Sequence, residues 1–259
     1  MRSTRFLSLV VGALTAGVLT IGCAPGDSGE GGEADAGTQD VPGAVAAAPG
    51  HYAVAYENDA VRLLRVSYGP GESSAMHSHP AHCAVALSEL TMRMSPREGE
   101  ASDLGMDMGE VVCVEAGAHS MENTGSETAE VVLVEFKPGA TAGSGELPDH
   151  PGAVSADPDH YTVEHENDVA RLLRIRYGPG ETSVMHRHPA NCAVFLRDQP
   201  TTFELPDGET IENPGYDSGH VECWDAQAHL PTNTGDETLE LILVELKGRA
   251  AWDGAGQGD

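Results

Sequence analysis

Two stretches of the chain carry residues spaced for chemistry: YGPGESSAMHSHPAHC at residues 68–83 and YGPGETSVMHRHPANC at residues 177–192. In each, a Gly-Pro-Gly turn runs into His-x-His, formed by His77 and His79 in the first and His186 and His188 in the second. Residues i and i+2 of a β-strand point to the same face, so each pair aims two imidazoles one way from Cα atoms about 6.6 Å apart. Two imidazoles so placed are two arms of a metal chelate. A third arm has to come from another part of the chain.

Positioning such a pair twice requires the framework around it to be built twice, and the sequence does repeat. HYAVAYENDAVRLLRVSYGPGE from His51 aligns with HYTVEHENDVARLLRIRYGPGE from His160, and His119 later aligns with His229 after a small drift. The drift falls in loops. After Met94 the first copy reads SPREGEASDLGMDM, and the second reads PDGETIENPGYDS from Pro206; both are turn-rich, as sites of insertion should be. Leu64, Val66 and Tyr68 alternate with Arg65 and Ser67, and Leu173, Ile175 and Tyr177 alternate with Arg174 and Arg176, which predicts strands with one buried face. The runs VVLVEFK from Val131 and LILVELK from Leu241 are more continuously apolar and read as central strands. No helical period survives, and roughly 85 to 90 residues of strand per copy is the size of a small sandwich or barrel.

Gly71-x5-His77-x-His79, followed by Gly109-x7-Gly117-x-His119-x3-Asn123, resembles the two cupin motifs. The second copy matches with Gly180, His186, His188, Gly219, His229 and Asn233, while Gln227 replaces the motif Gly. The resemblance implies an all-β bicupin: tandem cupin (jelly-roll, double-stranded β-helix) barrels at 50–138 and 159–247, with a linker at 139–158 and a disordered tail at 248–259. It also implies the third arm, making the ligand sets His77, His79, His119 and His186, His188, His229. Three neutral imidazoles leave one or more coordination positions open, as a catalytic or ligand-binding centre requires. The expected cofactor is a divalent transition metal, Fe, Zn, Ni or Cu, with missing carboxylates arguing against Mn. The competing reading is a metal-free barrel whose histidines bond to each other and to water.

The departures from the family pattern bear on the site. Where a cupin places a Glu ligand, this chain has Cys83 and Ala84, or Cys192 and Ala193; the usual Pro of motif two is Glu115 or Asp225. Small cupins with HxHP and GxHxxxN signatures are similar. His82, whose counterpart is Asn191, is either an extra ligand of the first site or a turn cap. The resemblance places the strand after His-x-His beside the first strand of motif two, so Cys83–Cys113 and Cys192–Cys223 are expected bridges. Buried free thiols and thiolate ligation by Cys83 are the alternatives. Met92, Met94, Met106 and Met108 raise a soft copper site, but Met92 and Met94 align with Phe203 and Leu205, which reads as packing.

Delivery is written at the N-terminus. Arg2 and Arg5 precede an apolar run from Phe6 to Gly22 and then Cys23, an export signal over residues 1–23, with an uncleaved anchor helix as the rival. Thr20-Ile21-Gly22-Cys23 resembles a bacterial lipobox, which implies a lipidated Cys23, a periplasmic or outer-membrane location and membrane contact through the anchor alone. Residues 24–49 are rich in Gly, Ala, Asp and Glu and read as a disordered tether. A net charge of -27, from 41 acidic and 14 basic residues, repels nucleic acid. There is no nucleophile elbow, phosphate loop or dinucleotide fingerprint. Three functions fit: an exported metal-binding bicupin with a small-molecule ligand or substrate, a three-histidine metal-dependent oxygenase (dioxygenase type), and a metal-free binding or sensory module. The cupin resemblance also implies a homodimer through strand exchange.

Overall fold

Eighteen strands in four antiparallel sheets make up nearly all of the regular secondary structure, in a computed structural model that describes residues 41–251. The expected export signal, Cys23, most of the expected tether and the last residues of the tail lie outside the described residues. The first copy contains β1 (Tyr52–Glu57), β2 (Val61–Tyr68), β3 (His77–His79), β4 (His82–Ala86), β5 (Leu90–Pro96), β6 (Ser102–Met106), β7 (Val111–Val114), β8 (Gly117–Asn123) and β9 (Ala129–Phe136). These form a five-stranded sheet in the order β1-β2-β9-β4-β7 and a four-stranded sheet in the order β3-β8-β5-β6. The second copy repeats this with β10 (Tyr161–Glu166), β11 (Ala170–Tyr177), β12 (His186–His188), β13 (Asn191–Arg197), β14 (Thr201–Glu204), β15 (Thr210–Asn213), β16 (Val221–Trp224), β17 (Gln227–Asn233) and β18 (Leu239–Leu246). Its sheets run β10-β11-β18-β13-β16 and β12-β17-β14-β15.

The continuously apolar β9 and β18 are central, and both their faces are buried. Leu133 and Leu243 belong to the interior clusters of their own barrels, whereas Val132 and Val134 join Ile242 and Val244 in one cluster shared by the two barrels. The shared cluster also takes Val61, Leu63 and Val85 from the first copy and Leu172, Val194 and Leu246 from the second. The five-stranded sheets thus pack against each other, and the exterior of each barrel there is interior to the whole.

Alternation along β4 and β13 decides the cysteines. Cys83 and Val85 face the shared cluster, and Ala86 faces the interior of its own barrel. The expected bridges form: Cys83–Cys113 and Cys192–Cys223, between directly opposed residues of β4/β7 and β13/β16 with Cα atoms 4.0 Å apart. Thiolate ligation at the histidine site is thereby ruled out, because the residue in the family's Glu position turns its sulfur away. Two disulfides fit an oxidising, extracytoplasmic compartment.

The tether and linker end earlier than composition implied. Ser78 donates its backbone N–H to Pro42 O (3.0 Å) and its hydroxyl to Val41 O (2.9 Å), and α1 (Ala44–Ala47) buries Ala44 completely. The second copy repeats the device: Arg187 N–H donates to Pro151 O at 2.9 Å, and α2 (Ala153–Ala156) buries Ala153. Both barrels therefore begin at a Pro-Gly-Ala-Val segment, Pro42–Val45 and Pro151–Val154. The tail is also corrected at its start. Arg249 O and Ala250 O accept from Ala190 and Ala226, and the Arg249 guanidinium pairs with Asp59 of the first barrel at 2.8 Å.

Candidate metal centres

The Gly-Pro-Gly turn aims each His-x-His. Gly71 and Gly180 have φ of 75° and 73°, which an L side chain rarely adopts, and Glu72 and Glu181 close the turn onto Gly69 and Gly178. The motif-two asparagines hold that turn. Asn123 donates through Nδ2 to Tyr68 O at 2.8 Å while its own carbonyl accepts from Gly71, and Asn233 does the same for Tyr177 O and Gly180.

Strand pairing supplies the third arm. β3 pairs with β8 so that His77 opposes His119, and β12 pairs with β17 so that His186 opposes His229. Ring centroids within each triad lie 4.8 to 5.2 Å apart. One nitrogen from each of His77, His79 and His119 lies within 4.8 Å of the others, and the same holds for His186, His188 and His229.

The outer nitrogens of the His-x-His pairs are committed. His77 Nδ1 donates to Ala75 O (2.8 Å) and His79 Nδ1 to the Glu135 carboxylate (2.7 Å). In the second barrel His186 Nδ1 donates to Val184 O and His188 Nδ1 to Glu245, both at 2.7 Å. An imidazole that donates from Nδ1 presents a bare lone pair at Nε2, the form that ligates metal. The Nε2 lone pairs of His79 and His188 have no internal donor. His79 Nε2 is buried with no hydrogen bond, and His188 Nε2 meets only the acceptor His186 Nε2, at 3.0 Å, a contact that a cation between them would reconcile. The residues present therefore fit a divalent metal.

His77, His119, His186 and His229 stay neutral near pH 7. Burial depresses His119 to about 3, helped by the neighbouring His79 and His77, and depresses His186 to about 4. Burial likewise lowers His77 and drives His229 well below the ordinary imidazole value. Burial alone would raise Glu135 and Glu245, yet the histidine hydrogen bond and the adjacent guanidinium, Arg62 or Arg171, hold both below the usual carboxylate range. A tyrosine relay completes each site. Tyr68 donates to Tyr52 (3.1 Å), which donates to His77 Nε2 (3.0 Å); Tyr177 donates to Tyr161, which donates to His186 Nε2, both at 2.9 Å. Burial raises Tyr52 and Tyr161 far above the ordinary phenol value, so both remain O–H donors aimed at the triad.

His82 lies beside the first triad, its ring 4.9 Å from that of His79, but its Nδ1 caps Pro80 O at 2.9 Å. Asn191 makes the equivalent bond to Pro189 O at 2.7 Å, so this position caps a turn in both copies and the clustered nitrogens do not include His82. Of the methionines, Met92 is buried in the barrel core. Register places Met92 opposite Asn123 and Thr201 opposite Asn233, so Met92 corresponds to Thr201, and Met94 to Phe203, two positions from the alignment read off the sequence.

No protein-family model and no curated protein matches the chain. Solved structures do. A cupin 2 conserved barrel domain protein from Leptotrichia buccalis is similar over 76% of this chain and 88% of its own, with 9% identity and a TM-score of 0.50. The chain has the cupin fold, in two copies. A single-residue variant of oxalate decarboxylase from B. subtilis is similar over 77% of this chain and 73% of its own, at 15% identity and a TM-score of 0.50. At such identities the cupin likeness carries architecture only, and the site must speak for its chemistry.

Proposed function

We propose that the chain is an exported, lipid-anchored cupin that holds one divalent transition metal in each barrel, through His77, His79 and His119 in the first and His186, His188 and His229 in the second. The observation that carries this reading is the buried, unpartnered Nε2 of His79, mirrored by His188 Nε2, which meets only the acceptor His186 Nε2 at 3.0 Å. Glu135 and Glu245 act as the outer hydrogen-bond partners that fix the ligating tautomer. A bound metal would supply Lewis acidity and an open position for a small molecule. Tyr52 and Tyr161 would donate a hydrogen bond to whatever atom occupies that position. The expected export route ends at a lipidated Cys23, which mass spectrometry of the membrane fraction would detect as an acylated N-terminus; a freely secreted, unmodified chain would exclude the anchor. The metal reading is tested by adding Co²⁺ to metal-free residues 24–259. Ligand-field absorption saturating at two equivalents supports it, and no absorption beyond that of aqueous Co²⁺ contradicts it.

A further inference from the structure

The second barrel has an interior cavity at positions where the first packs longer side chains. A cavity of about 290 Å³ is lined by Phe195, Phe203, Tyr216, Trp224, Leu239 and Leu241, and His188 and His229 line it too. In the first barrel Leu90, Met92 and Met106 pack into the interior cluster, with Leu104 and Met121 against it. Pairing shows what was exchanged. Thr201 stands where the first barrel has Met92, and Pro231 where it has Met121, so two long side chains are shortened. On the opposite sheet Phe195 replaces Ala86 and Trp224 replaces Val114, which makes the lining aromatic.

The charged groups at this cavity are of one sign. Asp198 and Glu212 line it, and no Lys or Arg does. Asp198 Oδ2 accepts from the Tyr216 backbone N–H at 2.8 Å, but Asp198 Oδ1 is buried without a hydrogen-bond partner. Burial raises the Asp198 carboxyl above its ordinary value, against the opposing backbone N–H groups of Gln199 and Tyr216 and the Asn213 side chain. An anion brought here would lose hydration and meet two carboxylates, whereas an N–H or O–H group would satisfy Oδ1.

We propose that this cavity binds a compact aromatic molecule carrying an N–H or O–H donor and no negative charge, and that the first barrel does not bind it. Size follows from volume: a cavity of about 150 Å³ accommodates benzene, so this one admits two fused rings or one ring with a short chain. The inference deepens the metal reading and rests on it only in placing the ligand against two of the proposed metal-binding histidines.

The test titrates intact residues 24–259, metal-loaded and metal-free, with tryptamine and with indole-3-acetate by calorimetry. Tryptamine should saturate one site with a dissociation constant below about 1 mM, and indole-3-acetate should bind at least about tenfold more weakly. Thr201→Met, which installs the first barrel's residue, should abolish tryptamine binding. Asp198→Asn, an isosteric change that spares packing, should weaken tryptamine about tenfold and narrow its preference over the acid. Equal binding of amine and acid, no saturation by tryptamine, or tryptamine binding untouched by Asp198→Asn would each overturn the proposal. Metal content measured on the same samples separates the two readings. Two equivalents of metal without tryptamine binding defeats this inference alone, and Asp198-dependent binding to protein that takes up no metal defeats the metal reading alone.

Discussion

Replacing Glu135 by Gln should cripple the first metal site and spare the second. The carboxylate is 1% exposed and serves two donors, His79 Nδ1 at 2.7 Å and the Arg62 guanidinium at 2.5 to 2.6 Å. A Gln of the same shape has one acceptor oxygen for these two claims. If that oxygen accepts from His79, the amide NH₂ is turned on the Arg62 cation. If it accepts from Arg62, the NH₂ donates to His79 Nδ1, which moves the imidazole proton to Nε2 and removes the ligating lone pair. Loss of such an outer partner costs about 10- to 100-fold in metal affinity, or about 1.4 to 2.8 kcal/mol. Stability should fall by a further ~1 to 3 kcal/mol, toward the low end because the Arg62 side chain is 25% exposed and can rehydrate. The assay is competition of each protein with a chromophoric chelator, resolving a tight and a weakened equivalent. An affinity within twofold of the parent at both sites would refute the tautomer argument.

Other expectations follow from the same geometry. Replacing the four bridge cysteines by Ala in pairs should cost about 3 to 4 kcal/mol per bridge from loop closure, read as a fall of about 6 to 16 °C in thermal midpoint for each. Metal-free protein should lose stability as pH falls from about 6.5 toward 4, since the unfolded chain takes up protons there that His186, held at about 4, and His119, held at about 3, refuse when folded. That loss is about 3 kcal/mol for a single histidine held near 4, and a denaturant midpoint that is flat across this window would contradict the depressed imidazoles. Residues 41–138 produced alone should self-associate or precipitate, because Val61, Leu63, Val85, Val132 and Val134 would lose the second barrel's cover; a monodisperse monomer by light scattering would show that the barrels are independent.

Much of this was legible because the repeat prints each functional residue twice. His-x-His declared its own geometry through strand alternation, and the paired cysteines lay where neighbouring strands could join them. Glu135 and Glu245 are less legible, although a single carboxylate inside an apolar run, recurring at the same place with an Arg partner at Arg62 and Arg171, is itself a signal of a buried ion pair. Tyr52 and Tyr161 were hidden because a tyrosine at the head of a strand reads as packing until its hydroxyl is located. The starts of the barrels were lost to composition, since Ala44 and Ala153 are small residues in polar surroundings, and only the repeated Pro-Gly-Ala-Val marked them. The alternation of β9 and β18 could not be read by period, as both faces are buried once two barrels share a core. The cavity of the second barrel depends on which residues oppose each other across β5/β8 and β14/β17, and loop drift had shifted that register.

The central claim, one metal held by three histidines in each barrel, is tested most directly by elemental mass spectrometry of residues 24–259, purified without a histidine tag and reconstituted with Fe²⁺, Zn²⁺, Ni²⁺ or Cu²⁺ in turn. The parent should carry two equivalents of at least one ion, and His77→Ala and His186→Ala should each carry one, with the remaining equivalent in the untouched barrel. Parent protein that retains less than about a tenth of an equivalent of every ion under conditions where isolated three-histidine sites hold metal, or variants that lose nothing, would contradict it.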